Sequence, residues 1–153
     1  MKKDPPYGKK KTDVWEFSCK RAISVVKSFH SKDTVFPAVR GRKGNVTVIE
    51  TKIYVGLNDS ETRKQEHETS KYVSVLKKVC CSYHVPFSVS LSQGGYMHED
   101  GQYIEELTLV ISMIDVDKKI VDEIAGDLCS FFNQESVMIT EDRVRAFFIN
   151  QTI

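Results

Sequence analysis

Val46–Leu57, VTVIETKIYVGL, is the stretch whose reading decides the fold. Ile49, Ile53, Val55 and Leu57 fall on one side of an extended chain, and Glu50, Lys52 and Tyr54 on the other. A period of two with one apolar side is the mark of a half-buried strand. The run ends at Asn58-Asp59, and residues 60–68 are polar and irregular. From about Thr69 the apolar period changes to that of a helix, with Tyr72, Val75, Leu76, Val79, Cys80 and Tyr83 on one side. Pro86 separates this helix from an expected strand, Phe87 to Leu91. Gly94 to Gly101 reads as a hairpin connection, and Tyr103 to Ile114 returns as a strand with Leu107, Leu109, Ile111 and Met113 on one side. Asp115 is the expected cap of a second helix carrying Ile120, Ile124, Leu128 and Phe131 or Phe132. A last strand is expected from about Ser136, with a turn at Glu141-Asp142 folding Val144 to Ile149 back as a further edge strand. The order β-α-β-β-α-β, with right-handed crossovers, predicts an α+β ferredoxin-like sandwich: an antiparallel sheet with both helices on one face.

Upstream the character changes. Residues 1–12, with Pro5-Pro6 and Lys9-Lys10-Lys11, read as a disordered basic arm. Residues 13–45 read as an extension to the domain of residues 46–153. Its helix runs from Thr12 or Asp13 to about Phe29, with an apolar stripe of Trp15, Cys19, Ala22, Ile23, Val26 and Phe29. It continues as a short edge hairpin around Val35–Val39, limited by Pro37, and a cationic turn, Arg40 to Asn45. Residues 1–52 hold 13 Lys/Arg against 5 Asp/Glu, whereas residues 53–153 hold 9 against 16. Such an arm suits a phosphate-bearing partner, or neutralises the acidic body itself.

The sequence shows no apolar run long enough to span a bilayer and no signal-peptide pattern, so a cytoplasmic protein is expected. Cys19, Cys80, Cys81 and Cys129 form no C-x-x-C pair, which fits reduced, buried thiols better than a metal site. Neither a P-loop, a dinucleotide-binding fingerprint, H-E-x-x-H nor G-x-S-x-G occurs, and no cofactor is expected.

Two joints carry concentrated polarity. In Gly94-Gly95-Tyr96-Met97-His98-Glu99-Asp100-Gly101, an aromatic and three acid–base groups sit in a glycine-rich connection. Asn133-Gln134-Glu135-Ser136 lies where the second helix gives way to the last strand. It serves either as a helix cap or as the polar floor of a pocket. Arg143 and Arg145, two residues apart, would share a face of an extended segment and clamp an anion.

The residues Tyr54-Val55-Gly56-Leu57, Gly94-Gly95-Tyr96 with Asp100-Gly101 and Glu106, and Gln134-Glu135-Ser136-Val137 resemble a small ferredoxin-like family of unknown function found in bacteria and phages. The likeness covers about two thirds of the chain, from Ile53 to Ile149, and implies the same fold without an activity.

The expectation is therefore a non-enzymatic, phage-type accessory or anti-defence protein, a homodimer. It would sequester a small anionic, nucleotide-like ligand or bind a host protein. Tyr96 would stack on a base; Arg143, Arg145, Arg40 and Arg42 would hold phosphate; and Asn58, His98, Gln134 and Glu135 would read polar edges. Two other readings stand beside it. One is a nucleic-acid binder acting through Lys9, Lys10, Lys11, Arg40, Arg42 and Lys43. The other is a metal-assisted hydrolase built on His98, Glu99 and Asp100.

Overall fold

The computed structural model describes residues 46–149. The basic arm, the expected N-terminal helix and hairpin, and Cys19 lie outside them. Within them the order is β1 (Val46–Gly56), α1 (Thr69–Ser82), β2 (Ser88–Met97), β3 (Tyr103–Ile114), α2 (Lys118–Phe131) and β4 (Met138–Ala146). The four strands lie β2-β3-β1-β4, all antiparallel. This is the ferredoxin-like α+β arrangement expected from the strand and helix periods.

The alternation in β1 sets the layers. Its odd-numbered residues Ile53 and Val55 are buried with Leu109, Ile111 and Met113 of β3, beneath Tyr72, Leu76, Val79 and Cys80 of α1 and Val121, Ile124 and Leu128 of α2. Burial of each such aliphatic side chain contributes roughly 1.5–3 kcal/mol. At the far end of α1 the Tyr83 hydroxyl donates to Asp127 Oδ2 at 2.9 Å, fastening the two helices together. The even-numbered side of the sheet faces away from both helices, and no described element crosses it.

Both helices end in the same way. At α1, Val85 N–H donates to Cys80 O and His84 N–H to Cys81 O; at α2, Gln134 N–H donates to Cys129 O and Asn133 N–H to Ser130 O. These are Schellman caps, with His84 (φ 55°) and Asn133 (φ 48°) in the left-handed position that glycine often fills. The cap at Asn133 projects Gln134 and Glu135 beyond the helix end, toward the tip of β1.

Four sequence expectations are corrected. Gly94, Gly95, Tyr96 and Met97 belong to β2 and not to a loop, paired with Glu106, Glu105, Ile104 and Tyr103. The reversal is confined to residues 98–102, where His98 N–H donates to Gln102 O and Gly101 takes φ 81°. Asp117, not Asp115, caps α2 by accepting from Lys119 N–H, while Asp115 turns the chain at φ 56° and donates its N–H to Ile49 O. The reversal expected at Glu141-Asp142 does not occur, because these residues pair with Thr51 and Glu50 in an unbroken β4. No glycine or proline stands there to reverse the chain, and the long β1 offers partners along the whole edge. Finally, Cys80 is buried as expected, its thiol pushed up to about 12 chiefly by burial, but Cys81 is exposed on the outer side of α1.

Candidate functional site

One end of the sheet gathers the tip of β1, the β2–β3 reversal, the start of the β1–α1 loop and the joint between α2 and β4. They enclose a cleft of about 530 Å³, the size of pocket that takes a drug-sized molecule. Asn58, Tyr96, His98, Glu106, Gln134 and Glu135 contribute to its lining.

Glu106 is the centre of this arrangement. It stands on the even side of β3, diagonally across from Gly56. A β-carbon on Gly56 would lie 2.3 Å from Glu106 Oε1, so the glycine is what lets the carboxylate lie flat over β1. Asn58 N–H donates to Glu106 Oε1 at 3.1 Å. Half-burial pushes the carboxyl pKa up, and the Asn58 bond opposes that shift in part. Asn58 is fixed from two further directions: its side-chain amide donates to Glu105 O at 2.9 Å, and its carbonyl accepts from Gln134 Nε2 at 2.6 Å. Gln134 also donates to Phe132 O, which leaves its amide rigidly aimed. Tyr96 has its hydroxyl pKa raised by burial first, then by the charges of Glu106 and Glu135.

The rim is clasped. Asp59 accepts from the N–H groups of Glu61 and Thr62 and from Asn133 Nδ2, which ties the β1–α1 loop to the end of α2. Within this loop Arg63 adopts φ 55° and reaches across to pair with Asp100 of the β2–β3 reversal. His98 Nδ1 lies 3.2 Å from the other oxygen of Asp100. The Arg63 hydrogen bond, helped by that of Gln102 N–H, holds the Asp100 carboxyl down at about 2.

Of the residues expected to form a site, the fold brings Asn58, Tyr96, His98, Gln134 and Glu135 together. It does not bring Arg143 and Arg145 to the cleft. They pair with Ile49 and Thr47 at the opposite end of β1 and point to the helix-side edge. Arg40 and Arg42 lie outside the described residues. Among the described residues, no group of three or more His, Cys, Asp or Glu is arranged to hold a metal, and Asp100 is engaged by Arg63. Residues that sequence reasoning left out as ligand groups are Arg63, Asp59 and Glu106. The signal for Glu106 was its register: it falls on the face opposite Leu107 and Leu109, diagonal to the glycine that ends β1.

The charge of the lining differs from the expectation of an anion site. Among the described residues, Asp59, Glu99, Glu106 and Glu135 face Arg63 as the one Lys or Arg of the lining, and Arg63 is already paired with Asp100 outside it.

No family model matches the sequence, and comparison with curated proteins gives no match. Solved structures of similar fold include a phage SAM lyase in complex with S-methyl-5'-thioadenosine, with 20% identity and a TM-score of 0.53 over 72% of this chain and 97% of that one. A phage SAM lyase in the apo state is similar at 20% identity and a TM-score of 0.53, over 69% of this chain and 94% of that one. At this identity the likeness establishes the shared fold. Among the described residues no helix is long and apolar enough to cross a membrane.

Proposed function

We propose that the cleft beneath Tyr96 and Glu106 binds a cationic nucleoside of the SAM type. The observation that carries this is the acidic lining. An adenosine phosphate would meet Glu106, Glu135, Asp59 and Glu99 with like charge, whereas a sulfonium with an amino group meets opposite charge. Tyr96 supplies an aromatic face for a base, and Asn58 and Gln134 supply fixed amides for polar edges. The solved neighbours, one of them holding a thioadenosine, support the choice of nucleoside.

Isothermal titration with SAM, S-methyl-5'-thioadenosine and ATP tests this. SAM and the thioadenosine bind, and ATP does not. Glu106→Gln weakens SAM about tenfold, equivalent to about 1.4 kcal/mol, and leaves the neutral thioadenosine nearly unchanged. Tighter binding of ATP than of SAM, or equal loss for both nucleosides in the variant, overturns the reading.

A second reading, turnover, is favoured by Glu106, a half-buried carboxylate beside a tyrosine in a cleft. Cleavage of SAM to the thioadenosine breaks the bond from the sulfonium sulfur to the amino-acid carbon chain. The electron pair returns to sulfur, and the carbon fragment gives a proton to a base or closes on its own carboxylate. Incubation with SAM and chromatography for thioadenosine distinguishes the lyase, which forms it, from the sequestering protein, which returns SAM intact. Either outcome lowers free SAM, and an anti-defence role in a phage would act through that loss of methyl donor.

A further inference from the structure

Val48 does not fit the two-layer description. It lies on the even side of β1, away from both helices, and takes no part in the core cluster, yet it is only 3% exposed. Its cross-strand partner is Val144, and the neighbouring pair is Val46 with Ala146, all three half-buried. Ile114 continues the patch on β3, beside Glu50 and its partner Asp142. The sheet thus carries an apolar area at the end away from the cleft, bordered by Asp142 and by Glu50, whose carboxylate lies 3.4 Å from Lys52 Nζ.

We propose that this area is the docking surface for residues 13–29 of the same chain. Those residues carry the stripe of Trp15, Cys19, Ala22, Ile23, Val26 and Phe29, which as a helix of about 25 Å would need an apolar surface of that length. The 45 residues outside the described body on this side end at Val46, itself part of the patch, so the segment is tethered where it must bind. The 16 residues from 30 to 45 reach up to roughly 50 Å when extended, ample to fold back along the sheet. Lys20, Arg21 and Lys27 give the segment cations to set against Glu50 and Asp142. The solved neighbour is matched over 97% of its length by 72% of this chain, so the remaining 28% of this chain is additional to the shared fold.

The chain's one tryptophan, Trp15, reports the docking. In the 153-residue chain its emission is blue-shifted from that of free tryptophan, is shielded from acrylamide and does not change on dilution. Val48→Asp moves the emission to the red and raises the acrylamide quenching constant severalfold. Ile23→Asp does the same, and because it changes the docking segment and not the sheet it keeps the test sound if Val48→Asp does not fold. A fully quenched Trp15 in the unmodified chain, or an Ile23→Asp spectrum identical to it, overturns the proposal. So does a blue shift that vanishes on dilution, which would place the segment on a second copy.

Discussion

At the scale of single residues, the cleft depends on an absent side chain. Gly56 leaves room for the Glu106 carboxylate, whose oxygen would sit 2.3 Å from any β-carbon placed there. Gly94, in contrast, has nothing within 4 Å of its would-be β-carbon, although it pairs directly with Glu106. The two glycines therefore separate a binding effect from a general one. Gly56→Ala should displace the carboxylate and weaken SAM about tenfold, as Glu106→Gln does, whereas Gly94→Ala should change affinity by less than about twofold. Titration of the two variants checks this, and equal affinity in both would remove Glu106 from the site. The sequence offered Gly94-Gly95 as the conspicuous glycines and Gly56 as the end of a strand. Gly95 does meet a close neighbour, the Tyr103 ring and Ile104 O, but so does Gly56, which the sequence did not mark, because close approach between strands depends on register, which pairs residues about 50 positions apart.

At the scale of elements, the rim is held by loops that polar side chains tie to one another. Arg63 and Asp100 connect the β1–α1 loop to the β2–β3 reversal, and Asn133 connects the same loop to the end of α2. Asp100 has a lowered folded-state pKa, about 2 against an ordinary 3.8, with the Arg63 hydrogen bond as the main cause. A depressed carboxyl contributes above its unfolded pKa and loses that contribution as pH falls through the folded value. The clasp should hold at neutral and mildly acidic pH and weaken only as pH falls from about 3.8 toward 2. A carbon-detected NMR titration of Asp100 should give a midpoint near the lower value, and Arg63→Ala should return it to the ordinary carboxylate range. No change in the variant would show that the pair does not form in solution. Strands and helices were legible because each repeats its apolar residue at one fixed period, as in Ile53, Val55 and Leu57 or Leu76, Val79 and Cys80. The clasp was not: its partners are single polar residues in irregular loops, and nothing periodic marks Arg63 for Asp100. The Schellman caps lay between these cases, since Asn133 just past a helix is a recognised stop and His84 is not.

At the scale of the whole molecule, charge divides the chain unevenly. Residues 1–43 carry 12 Lys/Arg against 4 Asp/Glu, so the remainder holds 10 against 17, and a net charge of +1 conceals a body of −7. The described residues that line the cleft, four carboxylates among them, belong to that body. The cleft is accordingly acidic within an acidic body, consistent with a cationic ligand. The basic residues Lys9, Lys10, Lys11, Arg40, Arg42 and Lys43 belong to a different chemistry, and any nucleic-acid binding should reside there. Removing residues 1–43 should therefore separate two activities. The shortened chain should unfold in one cooperative transition and bind SAM within about threefold of the full chain, since a site and its linked fold left intact keep their affinity to a fraction of a kcal/mol. It should elute from an anion exchanger at much higher salt. If the full chain binds a DNA duplex, that affinity should fall steeply with added salt and vanish in the shortened chain. Calorimetry on both chains decides the first part: loss of SAM binding on truncation would mean that the N-terminal segment completes the cleft, and the site built here from Asn58, Tyr96, Glu106 and Gln134 would be insufficient by itself.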